Sequence, residues 1–150
     1  MPKEPSRILL VDDHPIVRLA LTHIMNRQHD LVVCGEASDA AGALSAIPAC
    51  QPQIVLMDIS LGQANGIELT QTIRSQNPDL PVLVLSMHDE CIYAERALRA
   101  GARGYVMKQE APETILTAIR RVLDGHCYFS ARVAARLSGE DSPVLHPVNP

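Results

Sequence analysis

Residues 7–15 read RILLVDDHP, in which an unbroken apolar run meets two adjacent carboxylates, Asp12 and Asp13. An apolar run without polar alternation is typical of a strand that is buried on both faces of a parallel sheet. Adjacent carboxylates repel each other, and burying either one without a partner is costly. The stretch therefore predicts a core strand that ends at a site where these charges are compensated.

Four further apolar runs of the same kind follow the first one along the chain, and helical patterns separate them. The runs are 31–36, 54–58, 81–86 and 104–108, and the helical patterns are 15–26, 39–47, 66–76, 90–100 and 112–125. Such alternation predicts an α/β fold with a parallel sheet and helices on both of its faces. We expect the second helix to stop before Pro48, and Gly101 and Gly125 to cap the last two helices.

The amino-acid composition limits the classes of protein to which the chain can belong. A chain of 150 residues with 47% apolar residues suits one soluble domain, and its net charge of −4 argues against DNA binding by this chain alone. The four cysteines form no CxxC pair, so we expect reduced thiols in a cytoplasmic protein. No apolar run approaches the length of about 20 residues that a membrane span needs.

Charged and polar side chains end the predicted strands. Asp58 ends the third strand, Ser86 the fourth and Lys108 the fifth, while Asp12 and Asp13 follow the first. Ligands bind outside the carboxyl ends of parallel strands, so these groups converge. Mg²⁺, which prefers oxygen ligands, would relieve the repulsion among the carboxylates. The set has the outline of a phosphoryl-transfer site with Asp58 as the nucleophile.

Four motifs carry a resemblance to a known family. They are VDDHP at 11–15, MDI at 57–59, LSMHD at 85–89 and GARGYVMK at 101–108. In this order and spacing, residues 7–128 resemble the receiver domain of bacterial two-component response regulators, in particular those of the LuxR/NarL type. The resemblance implies a flavodoxin-like fold with strand order 2-1-3-4-5. It also implies a receiver domain over 1–128. The residue pattern predicts that a short helix (130–137) and a linker or disordered tail follow over 129–150.

The resemblance implies a metal and phosphoacceptor site. Asp58 matches the residue that accepts the phosphoryl group. Asp13, Asp58 and the backbone carbonyl of Ser60 match the Mg²⁺ ligands, and Asp12 matches the acid that holds the metal through water.

The resemblance also implies a set of switching residues. Ser86 and Lys108 match the groups that bind the phosphoryl group, and Tyr105 matches an aromatic switch that follows Ser86. Ser60 and His88 match positions that tune hydrolysis of the phosphate.

Two positions depart from the family pattern. Gly62 stands where proline is usual, which suggests a looser loop beside the phosphoacceptor. Gln109 stands where proline follows the family lysine. The family peptide at that point is usually cis, but a cis bond before a residue other than proline costs about 3 kcal/mol. The sequence leaves the geometry of this peptide open.

The implied partners are a sensor histidine kinase and a second copy of the chain. Members of this subgroup usually bind DNA through a C-terminal helix-turn-helix domain, which we do not find within these residues. A stand-alone receiver, acting through protein contacts or a phosphorelay, is the alternative. Leu116 and Leu123 form a second apolar stripe on the helix over 112–125, which suggests a dimer face. They could equally be ordinary, partly exposed leucines.

Simpler interpretations exist for single residues. Asp13 could be only a helix N-cap, Lys108 a solvated lysine and Tyr105 a half-exposed strand residue. We expect His14 and His88 to face solvent. Cys91 and Cys127 suit packing better than sensing.

Two other classes of protein use a similar site or fold. A dehalogenase-type phosphatase needs a DxD motif on its first strand, whereas these acids are adjacent. A flavodoxin-like cofactor binder needs a glycine-containing phosphate loop where this chain has DDHP.

Overall fold

Five strands and five helices alternate along the chain in the computed structural model, which describes residues 4–59, 65–87, 90–129 and 135. The strands are β1 (Ser6–Val11), β2 (Leu31–Ala37), β3 (Ile54–Asp58), β4 (Val82–Ser86) and β5 (Gly104–Met107). The helices are α1 (Pro15–Asn26), α2 (Ala40–Cys50), α3 (Gly66–Gln76), α4 (Glu90–Arg99) and α5 (Pro112–Leu123). All strand pairs are parallel, in the order β2-β1-β3-β4-β5, so the predicted α/β fold and strand order are confirmed.

Two apolar clusters sandwich the sheet, because successive strand residues point to opposite faces. On one face Leu9 and Met57 belong to a cluster that includes buried residues of α2, α3 and α4. On the other face Leu10 and Leu56 belong to a cluster that includes buried residues of α1 and α5. Burial on both sides accounts for the unbroken apolar runs in the sequence. Among the described residues, no helix combines the length and apolar character that crossing a membrane requires.

The predicted end of α2 is wrong. The helix does not stop before Pro48 but continues through it to Cys50, and Gln51 then takes a left-handed conformation with φ of 50°. A proline in the last turn removes a single backbone donor, and Ile47, only 8% exposed, anchors that turn in the core. The Gln51 N–H donates to the Ile47 carbonyl and closes the helix.

The predicted glycine caps lie where helices α4 and α5 end. Gly101 and Gly125 have φ values of 108° and 92°, which glycine adopts without strain. The residue after each glycine donates its N–H to a carbonyl five positions earlier, over 2.9 Å for Ala102 and 3.0 Å for His126. These bonds satisfy carbonyls that the helix ends would otherwise leave without partners.

The predicted second stripe on α5 does not form an open face. Leu116 is 8% exposed and belongs to the core cluster of α1 and α5, and the partly buried Leu123 packs against that cluster. The apolar side of α5 is therefore one broad stripe that covers the sheet, so Leu116 is corrected from a dimer-face residue to a core residue. The predicted segment over 130–150 lies outside the described residues, apart from residue 135.

An ion pair joins α5 to the turn before β2. The Arg120 guanidinium donates to Asp30 from Nε and Nη2 over 2.9 and 3.0 Å, and Nη2 also donates to the Gln28 side chain. The hydrogen bonds from Arg120 are the main reason that the pKa of Asp30 lies below its ordinary 3.8. Both side chains are 40% exposed, so solvent screens the pair.

We expect Asp30→Asn to lower the free energy of unfolding at pH 7 by about 0.5 kcal/mol. Because the folded pKa of Asp30 is depressed, its contribution is present above pH 3.8 and is lost as the pH falls through the folded pKa. Denaturant titrations at several pH values should show the difference from wild type shrinking in acid. Asp79→Asn, at an exposed turn, is the control, and a difference that persists unchanged in acid would contradict the assignment.

Candidate functional site

The carboxyl ends of four strands meet at one edge of the sheet and bring the predicted side chains together. Asp58 is the last residue of β3, Asp12 directly follows β1, and Ser86 ends β4. These three residues are 1%, 2% and 0% exposed. The sequence therefore places two carboxylates and a hydroxyl in a nearly closed environment, where uncompensated charge is costly.

Lys108 compensates part of this charge. Its ammonium lies 2.9 Å from Asp12 Oδ2 and 3.2 Å from Asp58 Oδ2, and its side chain is 8% exposed. The Lys108 backbone N–H donates to the Ser86 carbonyl over 2.8 Å, which ties the residue after β5 to the end of β4. The interpretation of Lys108 as a solvated lysine is thereby excluded. One ammonium faces the carboxylates of Asp12 and Asp58, and Asp13 lies in the same cluster, so Lys108 alone does not balance the three carboxylates.

His14 faces solvent as expected, but it also belongs to this cluster. Although its side chain is 55% exposed, Nδ1 lies 2.8 Å from Asp12 Oδ1, 3.2 Å from Asp13 Oδ1 and 3.6 Å from Asp58 Oδ2. These partners come from the same turn and from β3, not from positions at helical spacing. The proline at position 15, which starts α1, is the local signal that leaves His14 in an extended N-cap conformation.

Asp12 is held as a carboxylate. Burial, the largest single influence, acts to raise its pKa, but hydrogen bonds from Lys108 and from the N–H and ring of His14 together lower the pKa below its ordinary value. On its backbone side, Arg18 donates to the Asp12 carbonyl and forms an ion pair of 3.2 Å with Glu36 at the end of β2. The turn between β1 and α1 is thus held by contacts to the Asp12 side chain and to the Asp12 backbone carbonyl.

The donor set suits a hard divalent cation. Asp12, Asp13, His14 and Asp58 each offer one ligand atom, and these atoms all lie within 4.8 Å of one another. The buried Oδ1 of Asp13 accepts no hydrogen bond from the described part of the chain, as expected for an oxygen that has a metal to bind. Carboxylate oxygens are the ligands that Mg²⁺ prefers. The predicted contributions of Ser60 and His88 lie outside the described residues.

Gly66, which the sequence reasoning missed, lets α3 begin directly against the carboxyl end of β3. A Cβ at this position would lie 2.5 Å from the Asp58 carbonyl oxygen and 2.7 Å from Ile59 Cα. The Asn65 side chain caps the helix by accepting from the N–H of Ile67 over 2.8 Å. The AsnGly pair before an amphipathic helix was the available signal for this close approach.

Tyr105 is a core residue, so its interpretation as a half-exposed strand tyrosine is excluded. It is 1% exposed and pairs in register with Val84, two residues before Ser86 on β4. Its backbone N–H donates to the Tyr128 carbonyl over 3.0 Å, so the segment after α5 lies along the edge of β5. The peptide between Lys108 and Gln109 is trans, as are all those in the described residues.

Comparison with known proteins decides the family. The model of the response regulator receiver domain matches residues 8–120. The chain belongs to this family. The receiver domain is 39% identical over 136 residues to the transcriptional activator protein ExaE of Pseudomonas putida, covering 91% of the chain and 64% of that relative. It thus spans less than two thirds of the length of this curated relative.

Solved structures agree with the family and with its LuxR/NarL-type subgroup. A LuxR-family two-component response regulator from Aurantimonas sp. is 37% identical, with a TM-score of 0.84 over 91% of this chain and 97% of that one. The receiver domain of the putative regulator NarL from Mycobacterium tuberculosis is 31% identical, with a TM-score of 0.77 over 82% and 99%. The receiver is therefore part of a signalling protein rather than a classical enzyme.

Removing one carboxylate tests whether the receiver site balances its charge with a cation. Without divalent metal, we expect Asp13→Asn to raise the free energy of unfolding by on the order of 1 kcal/mol, because it removes like-charge repulsion. Mg²⁺ at 100 times its dissociation constant should stabilise the wild type by about 2.7 kcal/mol and the variant far less. Denaturant titrations with Mg²⁺ or EDTA measure both effects.

Asp79→Asn removes a carboxylate from an exposed turn and serves as the matched control. It should keep the full response to Mg²⁺. Equal stabilisation of wild type and Asp13→Asn by Mg²⁺ would show that the cation binds elsewhere.

Proposed function

We propose that Asp58 accepts a phosphoryl group from the phosphohistidine of a sensor kinase, in a Mg²⁺-dependent reaction. The observation that carries the proposal is the surroundings of the Asp58 carboxylate. It lies 3.2 Å from the Lys108 ammonium and shares a cluster of ligand atoms with Asp12 and Asp13. A buried carboxylate beside one cation and two further acids suits a nucleophile for phosphoryl transfer.

The chemistry forms one bond and breaks another. A carboxylate oxygen of Asp58 attacks the phosphorus in line, and the bond between phosphorus and the kinase imidazole nitrogen breaks. The imidazole leaves with the bonding electron pair and takes up a proton from solvent. The product is an acyl phosphate on Asp58, which the receiver forms, and later loses to water, through its own side chains.

Lys108 balances charge during this step. Its ammonium is already 2.9 Å from Asp12 and is held by the backbone bond to β4, so it meets the incoming oxygens without reorganisation. The residues that would hold the metal are Asp13, Asp58 and the Ser60 carbonyl, with Asp12 acting through water. Bound Mg²⁺ supplies neutralisation of the phosphoryl oxygens.

Phosphorylation then biases two arrangements of the receiver. In this proposal the Ser86 hydroxyl binds a phosphoryl oxygen and the buried Tyr105 follows it, while Ser60 and His88 set the rate of hydrolysis. The phosphate shifts populations that already exist. A 100-fold shift requires a preference of about 2.7 kcal/mol for the active form.

We assign the output to control of transcription through a further domain, with dimerisation on phosphorylation. The support is that the relative ExaE is a transcriptional activator of which this receiver covers 64%. The net charge of −4 argues against DNA binding by the receiver alone. We assign the reaction to the cytoplasm, in keeping with the receiver family.

Incubation with acetyl phosphate and Mg²⁺ tests the assignment of Asp58. Intact-mass measurement should show one added phosphoryl group on the wild type and on the control Asp79→Asn. Asp58→Asn should gain none, because an amide is too weak a nucleophile to form the acyl phosphate. EDTA should abolish the gain, and hydroxylamine should remove the group as expected for an acyl phosphate.

The same experiment can reject the proposal. A gain by Asp58→Asn equal to that of the wild type would exclude Asp58 as the acceptor. A hydroxylamine-stable product would indicate a hydroxyl acceptor instead.

A further inference from the structure

Two cysteines outside the phosphoacceptor site lie against each other. Cys34, on the edge strand β2, and Cys50, the last residue of α2, have their sulfur atoms 3.0 Å apart. Both residues are partly buried and both are free thiols. A disulfide has a bond length of about 2.05 Å, so the two sulfurs are about 1 Å from bonding distance.

An irregularity in β2 directs Cys34 towards this partner. Ile8 of β1 pairs with Val33, but the next residue, Leu9, pairs with Gly35, so Cys34 is the extra residue of a bulge. A bulge changes the direction of a side chain relative to regular alternation. The bulge is therefore located at Cys34, the residue of β2 whose sulfur contacts the sulfur of Cys50.

The space for the second sulfur depends on a glycine. A Cβ at Gly35 would lie 3.0 Å from Cys50 Sγ, closer than almost all real contacts of this kind. The Cys50 sulfur lies next to Gly35 because α2 continues through Pro48 and ends at residue 50. The bulge, the glycine and the extended helix therefore act together to bring the sulfurs into contact.

We propose that Cys34 and Cys50 form a redox modification site, in which a hydroperoxide converts the two thiols into an intramolecular disulfide. One of the two sulfurs attacks the peroxide, the O–O bond breaks, the released hydroxide leaves as water with the proton of that thiol, and the attacking cysteine becomes a sulfenic acid. The second sulfur then attacks the oxidised sulfur, the S–O bond breaks, and water leaves with the proton of the second thiol. With hydrogen peroxide, two thiols and one peroxide give one disulfide and two waters.

Burial and, after it, the hydrogen bond with Cys50 raise the pKa of the Cys34 thiol to about 12. The 3.0 Å contact between the two sulfurs contributes to this shift and also brings the sulfurs near bonding distance. The geometry does not distinguish the two sulfurs, so either one is the first to be oxidised and the other resolves it.

The disulfide would connect the edge strand β2 to the end of α2. It would close a loop between residues 16 positions apart and reduce the entropy of the unfolded chain. Oxidised protein should therefore melt at a higher temperature than reduced protein. This site does not depend on phosphorylation of Asp58.

The experiment treats the 150-residue chain with one equivalent of hydrogen peroxide and maps its peptides without reduction. We expect a Cys34–Cys50 linked peptide that dithiothreitol dissociates, and the same product from the control Cys127→Ser. With dimedone present, at least one of the variants Cys34→Ser and Cys50→Ser should accumulate a dimedone adduct on the remaining cysteine of the pair. The melting temperature of the oxidised wild type should rise, and that of either serine variant should not.

Three results would overturn the proposal. They are alkylation of Cys34 and Cys50 as free thiols after oxidation, a link through Cys127 in place of this pair, or the absence of a dimedone adduct on the remaining cysteine of the pair in both serine variants. Acetyl phosphate labelling of the same samples reports separately on Asp58, so the two proposals fail independently.

Discussion

The rest of the structure depends on the crowding of three carboxylates against a single buried ammonium. Asp12 and Asp58 are almost fully buried, and Lys108 lies within 3.2 Å of both. Such a group is costly to bury, and further positive charge beside it would lower that cost. In the function proposed above, the same excess of negative charge attracts a cation, and the cation then allows the site to receive a phosphoryl group.

The fold creates this crowding with ordinary devices. Parallel strands align their carboxyl ends, and two-sided burial fixes the register of each one, so Asp12 and Asp58 meet although 46 positions separate them in the sequence. Gly66 then allows α3 to start against the Asp58 backbone, where any side chain would collide. The backbone next to the charged site is therefore closely packed between β3 and α3 and has little room to move.

The sequence was sufficient for features that depend on local pattern and strand order. Unbroken apolar runs identified the strands, and the residues after them, including Asp58 and Lys108, came together as expected. Gly101 and Gly125 marked helix ends because left-handed backbone favours glycine.

Features that depend on tertiary packing could not be predicted in this way. Core burial of Ile47 outweighed the local effect of Pro48 and extended α2. Leu116 is a core residue because α5 covers the sheet with a broad apolar face. His14 contacts Asp58 of β3, and a sequence pattern within one helix cannot predict such a contact between distant residues. The bulge at Cys34 arises from strand pairing, which a single strand does not encode.

The most direct measurement of the central claim is anomalous diffraction from crystals soaked in Mn²⁺, which accepts the same oxygen ligands as Mg²⁺. The charge balance described above predicts one strong peak bounded by the carboxylates of Asp12, Asp13 and Asp58. A map with no peak between these side chains, at a Mn²⁺ concentration that occupies other sites on the protein, would contradict the account.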